Sequence, residues 1–207
     1  MFLIKKIWGD KVVLTFEIWA TIFGLLQGIL VLLNNKYNWL FYIAQIGCLI
    51  VFSYFNKLYA DTLCNIIYLM FGIRGWILWN KNNAVKISNC SLKEKIMYSS
   101  IICIGAFLIN MALKITPDPL PLIDAVTTSS SLVATYYMVK KKLDTWIIWF
   151  INDICYIIEY SILQEPAYYL ISLNTIWSIM SIISYFNWRR IMKGEKYEKN
   201  IFCRKIQ

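Results

Sequence analysis

Residues 59–80 read Tyr59-Ala-Asp-Thr-Leu-Cys-Asn65-Ile-Ile67-Tyr68-Leu-Met-Phe-Gly72-Ile73-Arg74-Gly75-Trp76-Ile-Leu-Trp79-Asn80. The stretch is long and apolar enough to cross a bilayer as one helix. It also returns. Tyr59, Asn65, Ile67, Ile73 and Trp79 recur, at one constant offset, as Tyr168, Asn174, Ile176, Ile182 and Trp188. Upstream, at a slightly shorter offset, Glu17, Thr21, Leu25, Trp39 and Cys48 match Asp124, Thr128, Leu132, Trp146 and Cys155. Two related halves in one apolar chain are the sequence sign of a transporter whose solute site lies between the halves.

Composition agrees with a membrane protein. The 207 residues are 59% hydrophobic, with mean hydropathy +0.54; a soluble domain has about 45–50% apolar residues. Pro and Gly number 4 and 8, too few for a linker-separated soluble domain. The net charge is +9. Its Lys and Arg lie between apolar runs and in the tail, which reads as membrane topology and leaves no basic soluble face for nucleic acid. His is absent, which removes His triads, His metal ligands and His proton relays. The 6 cysteines have no CxxC spacing and read as small buried hydrophobes. No cofactor or metal is called for, and no nucleophile–base pair marks an enzyme. The first apolar run starts after Lys11 and contains Glu17, with no small-residue cleavage site after it. It reads as a first span rather than a signal peptide.

Seven spans follow: 12–33, 38–55, 58–80, 96–115, 121–139, 145–163 and 167–188. Only helices satisfy their backbone groups within a bilayer. The repeat pairs span 1 with 5, 2 with 6 and 3 with 7. The fold is therefore an all-α membrane protein with two parallel three-helix repeats, 12–80 and 121–188. A connector helix at 96–115 joins them in a 3+1+3 order, and a basic cytoplasmic tail fills 189–207. Lys36, the 81–95 segment, Lys140–Lys142 and the tail hold most of the positive charge. The other side holds Lys5, Lys6, Lys11, Lys57 and Lys114. This places the N-terminus outside and the C-terminus in the cytoplasm of a multi-pass protein of the cell inner (cytoplasmic) membrane.

Candidate solute contacts lie in the middle of the spans. In span 6, Trp146, Trp149, Asp153 and Tyr156 share one helix face, bordered by Asn152. An aromatic wall with a carboxylate suits a flat, cationic, hydrogen-bonding solute. Trp146 also fits an interfacial anchor. An acid at mid-bilayer costs about 2.5–3.5 kcal/mol even on lenient scales, so Asp153 needs a cavity or a partner. Span 2 offers Trp39, Tyr42 and Gln45, with Gln45 aligned to Asn152. Spans 3 and 7 offer Asn65 with Tyr68 and Gly72, and Asn174 with Trp177 and Ser181. The amides also fit plain interhelical bonding. Glu17-Thr21-Gly24-Gly28 and Asp124-Thr128-Ser131-Thr135 read first as close-packing faces, with the two acids near the outer ends.

Lys57-Leu-Tyr-Ala-Asp61, followed by Gly75-Trp76-Ile-Leu-Trp79, resembles the third-span motif of PnuC-type vitamin transporters. Trp146-x-x-Trp149 with Asn152 and Asp153 is similar to that family's sixth span. Asp124 opening span 5, Ser131-Leu-Val-Ala134 within it and Lys140–Lys142 after it also fit. The resemblance covers about residues 12–190. Arg74 stands where the family has an aromatic, and Asn174 and Trp177 also depart from its pattern. The resemblance implies facilitated uptake of nicotinamide riboside, a homotrimer, and kinship to the SWEET sugar carriers. Relatives carrying thiamine make a thiamine carrier of the same fold the first alternative. A small intramembrane enzyme or receptor is the alternative of another class.

Overall fold

The structure is a computed structural model. It describes the backbone of residues 2–56, 59–81, 85–116, 120–162 and 168–206. Within these it describes the side chains of residues 15, 16, 18–56, 61–81, 85–116, 120–162, 168 and 170–194. Seven helices fill the described residues: α1 Phe2–Leu32, α2 Asn38–Phe55, α3 Tyr59–Asn80, α4 Leu92–Leu113, α5 Pro121–Val139, α6 Thr145–Ile162 and α7 Tyr168–Ile206. The ends of the sixth and seventh sequence spans that fall on 163–167 lie outside the described residues, as do the side chains of Lys57, Glu17 and the distal tail.

Local chemistry sets the boundaries. α4 starts earlier than its apolar run because Ser91 and Glu94 close a capping box on its first turn. α5 opens on Pro121, whose fixed φ and missing N–H suit a helix start. α7 does not stop at Trp188; it continues as a helix to Ile206. Among the described residues, four helices are long and apolar enough to cross a membrane: Asn38–Phe55, Asp61–Asn80, Leu92–Leu113 and Leu170–Gly194. The apolar part of α1 among the described residues, Ile18–Leu32, is shorter. α5 and α6 are diluted by their Ser and Thr residues and by Asn152, Asp153 and Glu159.

The chain divides into two compact units, Met1–Ala84 and Val85–Gln207. In the first, α2 packs on both α1 and α3. In the second, the helices follow chain order, α4 on α5, α5 on α6 and α6 on α7. α5 is buried along much of its length. α4 buries only Ala106 and leaves Ile104, Phe107 and Leu108 about three-fifths exposed, a surface suited to lipid. The α4–α5 contact is close: a Cβ on Gly105 would overlap Ser129, whose hydroxyl donates to the Ile102 carbonyl at 3.0 Å.

The α1–α2 turn and the α5–α6 turn are built alike. Asn34 and Lys141 both sit in the left-handed region, at φ 54° and 50°. Asn34 N–H donates to Val31 and Asn35 N–H to Leu30, both at 2.9 Å. Lys141 N–H likewise donates to Met138 at 3.0 Å, and Lys142 N–H to Tyr137 at 2.9 Å. The next bonds, Asn38 to Asn35 and Trp39 to Lys36, match Thr145 to Lys142 and Trp146 to Leu143. Each turn thus delivers its tryptophan to the same place on the following helix.

The second turn is also strapped. Ser88 N–H donates to the Lys141 carbonyl at 3.1 Å, and Leu143 N–H returns to the Ser88 carbonyl at 2.9 Å. Asp144 accepts from the Cys90 N–H at 2.7 Å and pairs with Lys95 at 2.9 Å; Lys142 pairs with Glu94 at 2.9 Å. Burial would raise the Asp144 pKa, but the Cys90 N–H and Lys95 together hold it below the ordinary 3.8. A depressed carboxylate stabilises the fold above its ordinary pKa and stops doing so as pH falls through the depressed value. The Asp144 contribution is therefore expected to be intact at neutral pH and lost below 3.8. Asp144→Ala strands a part-buried N–H, which costs about 1–3 kcal/mol. Thermal unfolding of the detergent-solubilised variant at pH 7 should show a lower midpoint; an unchanged midpoint would refute the role given to the strap.

Candidate functional site

Both units hold a tryptophan wedged edge-on against a second one on the next helix. Trp39 of α2 meets Trp79 of α3 at 5.6 Å between centroids and 85° between planes. Trp146 of α6 meets Trp188 of α7 at 5.2 Å and 89°. Trp39 and Trp188 are fully buried. Edge-to-face geometry aims the positive ring edge at the negative face of its partner, so the two wedges hold the helix pairs. The indole N–H groups of Trp39, Trp146 and Trp149 are buried without a hydrogen-bond partner among the described residues.

The first unit closes α2 on α3 through glycine. Tyr42 is buried and stands edge-on to Trp39 at 5.4 Å. A Cβ on Gly72 would lie 2.8 Å from its ring, and one on Gly75 would overlap the Trp39 ring. Gln45 packs over Gly24 of α1, where a Cβ would lie 2.7 Å from its amide nitrogen. Asn65 donates to the Ser53 hydroxyl at 3.3 Å. Tyr68 is half-buried one turn further along α3.

The second unit uses polar contacts at the matching places. Asn152 is buried, its Oδ1 accepting from Ser130 at 2.6 Å and its Nδ2 3.5 Å from the Thr127 carbonyl. Asp153 is 5% exposed and accepts from the Ser181 hydroxyl of α7 at 3.4 Å. Trp149 lies half-buried one turn before it. Tyr156 stacks on Tyr160 at 6.0 Å and 11°. Asn174 donates to the Leu170 carbonyl of its own helix at 2.8 Å, and Trp177 is half-buried one turn on. An open apolar crevice between α6 and α7 runs past Trp146, Phe150, Ser181 and Tyr185.

Trp146, Asn152 and Asp153 are thus brought into the α5–α6–α7 packing, and Trp39, Tyr42 and Gln45 into α1–α2–α3. Asn174 is turned onto its own helix. Ser130 and Thr127, which hold the α6 amide, were not among the site residues read from sequence, whereas Ser181, which reaches the carboxylate, was read on the span 7 face. The repeat offset carries a signal for Ser181, because it aligns with Gly72, the position against which Tyr42 packs. Among the described residues no group of His, Cys, Asp and Glu is placed to hold a metal ion.

The nicotinamide mononucleotide transporter family matches residues 14–190. The chain belongs to that family. Two similar curated relatives are both named nicotinamide riboside transporter PnuC. The protein from Neisseria mucosa is 22% identical over 84% of this chain and 72% of its own length. The one from Haemophilus influenzae is 22% identical over 93% of this chain and 88% of its own. Among solved structures, a crystal structure titled as the vitamin B3 transporter PnuC superposes with a TM-score of 0.68 at 20% identity, covering 92% of each chain. This member of the transporter family therefore shares the PnuC fold, and it is a transporter rather than an enzyme.

Proposed function

We propose that the chain takes up a cationic vitamin precursor, nicotinamide riboside, across the cell inner membrane by facilitated diffusion with alternating access. The relatives' names support the solute, and one observation on this chain carries the reading. A buried carboxylate, Asp153, stands one helical turn from Trp149, whose indole N–H has no protein partner among the described residues. A pyridinium ring is flat and positive, so it can stack on the indole and be attracted by the carboxylate, while the N–H donates to an oxygen of the solute. Trp146, Asn152 and Tyr156 extend this surface on α6, with Asn174 and Trp177 on α7. Trp39, Tyr42, Gln45, Asn65 and Tyr68 form the contribution of α2 and α3.

The architecture proposed is seven transmembrane helices in two parallel three-helix repeats, α1–α3 and α5–α7, with α4 as connector. The matched turns and the matched tryptophan wedges support it. Copies that share a direction through the membrane also require an odd number of spans between them. The orientation proposed is N-terminus outside and C-terminus cytoplasmic. A reporter active only in the cytoplasm should give signal when fused at Gln207; silence there, with signal at Met1, would reverse the topology. The homotrimer implied by the family resemblance is read from the mass of the solubilised protein.

The reading is tested by calorimetry of purified protein against nicotinamide riboside, thiamine and neutral nucleosides. Nicotinamide riboside should bind tightest; preference for thiamine would move the chain to the other carrier class. Trp149→Ala should weaken nicotinamide riboside by roughly 0.5–2 kcal/mol, the range of a cation over an aromatic face, while the protein stays monodisperse. Unchanged affinity would remove Trp149 from the site.

A further inference from the structure

The α2–α3 and α6–α7 pairs share the tryptophan wedge but differ nearby. Ile46 of α2 stands where α6 has Asp153, and Gly72 of α3 stands where α7 has Ser181. In the first unit the Tyr42 ring fills the space beside Gly72. In the second, Ser181 is buried and its hydroxyl reaches the Asp153 carboxylate. Carboxylate and hydroxyl are present together in one half and absent together in the other. A buried carboxylate needs a donor, and a buried hydroxyl needs an acceptor, so each accounts for the other.

We infer that Ser181 is a positioning residue that sets the orientation of Asp153 and so determines preference for a positively charged solute. The inference rests on the proposed role of Asp153 in solute recognition. A carboxylate turns about a broad, roughly two-fold torsion, so with nothing to hold it its oxygens point in several directions. A donor on Oδ2 narrows that choice and leaves Oδ1 for another partner. At 3.4 Å the bond is long, so it steers the carboxylate while leaving most of its charge available to a cation. Asn152 on the neighbouring position is already engaged by Ser130. Ser181 comes from a different helix, so the position of the charge depends on how α6 and α7 pack.

The test compares nicotinamide riboside with its dihydro form, which keeps the shape and loses the positive charge. The readout is the ratio of the two affinities, measured by calorimetry on monodisperse protein. Ser181→Ala should lower the ratio by roughly three- to tenfold, the scale of one ordinary hydrogen bond, as suits a contact this long. Ser181→Thr keeps the hydroxyl and should keep the ratio within about twofold of wild type. An unchanged ratio in Ser181→Ala, or an equal loss for both ligands, overturns the inference; so does a Thr variant that behaves like Ala. Should the Thr variant fail to fold, the ratio in Ser181→Ala decides alone. Asp153→Asn is measured beside them. If it lowers the ratio while Ser181→Ala does not, only the role of Ser181 falls. If it leaves the ratio unchanged, charge recognition by Asp153 falls and the role of Ser181 falls with it.

Discussion

Asp153→Asn is expected to weaken nicotinamide riboside ten- to a hundredfold, about 1.4–2.7 kcal/mol, and to leave its neutral dihydro form nearly untouched. The substitution keeps the shape of the side chain and removes its charge. Two unit charges about 4 Å apart interact by about 4 kcal/mol at an effective dielectric of 20, and desolvating the solute offsets part of that. The expected loss is what remains. The carboxylate is buried in the middle of α6 with one long hydrogen bond from Ser181, and no cationic side chain pairs with it among the described residues. The cost of an acid in the middle of an apolar helix is the reason a functional role is proposed for it. Affinities for both ligands decide the matter. An equal loss for charged and neutral forms would make Asp153 a structural residue and leave the transporter reading standing.

Gly75→Ala is expected to cost about 1–3 kcal/mol of stability, while Ser184→Ala at the matching position of the other half costs almost nothing. The reason is the same wedge packed two ways. In the first unit the Trp39 ring lies so close to the backbone of α3 that a Cβ on Gly75 would overlap it, and Trp39 is fully buried with no room to retreat. In the second unit position 184 already carries a Cβ, and its hydroxyl is buried without a partner among the described residues, so its removal leaves nothing unsatisfied there. Thermal unfolding of the two solubilised variants, run side by side, measures the contrast. Equal midpoints would mean that α2 and α3 can part to admit a methyl group.

Much of the helix plan was legible in the residues. The bounds 38–55 and 121–139 coincide with α2 and α5, because each is an apolar run ended by polar turn residues. The start of α4 was placed late because its first turn is charged. Ser91 and Glu94 form a capping box there, a short-range signal that apolarity alone does not register. Lys95 and Lys142 were read as solvated topology charges; each has a carboxylate partner, Asp144 and Glu94, that lies far away in sequence. The helical period placed Trp146, Trp149, Asp153 and Tyr156 on one face correctly as a matter of geometry. It could not say which neighbour each would meet, since α6 packs against both α5 and α7.

By itself, then, the sequence determined the class of the protein, its helices and the rarity of a mid-helix carboxylate. These follow from local rules: backbone satisfaction in lipid, side-chain periodicity and the cost of a buried charge. Tertiary structure alone decided how each polar group is used. It gave Asn152 to Ser130 and set Ser181 against Asp153. It also made wedges of Trp39 and Trp146. A helix face spans a wide arc and a hydrogen bond only about 3 Å. Which groups come within that reach depends on how closely and at what rotation two helices pack, and that is set by the small and large residues of both helices together.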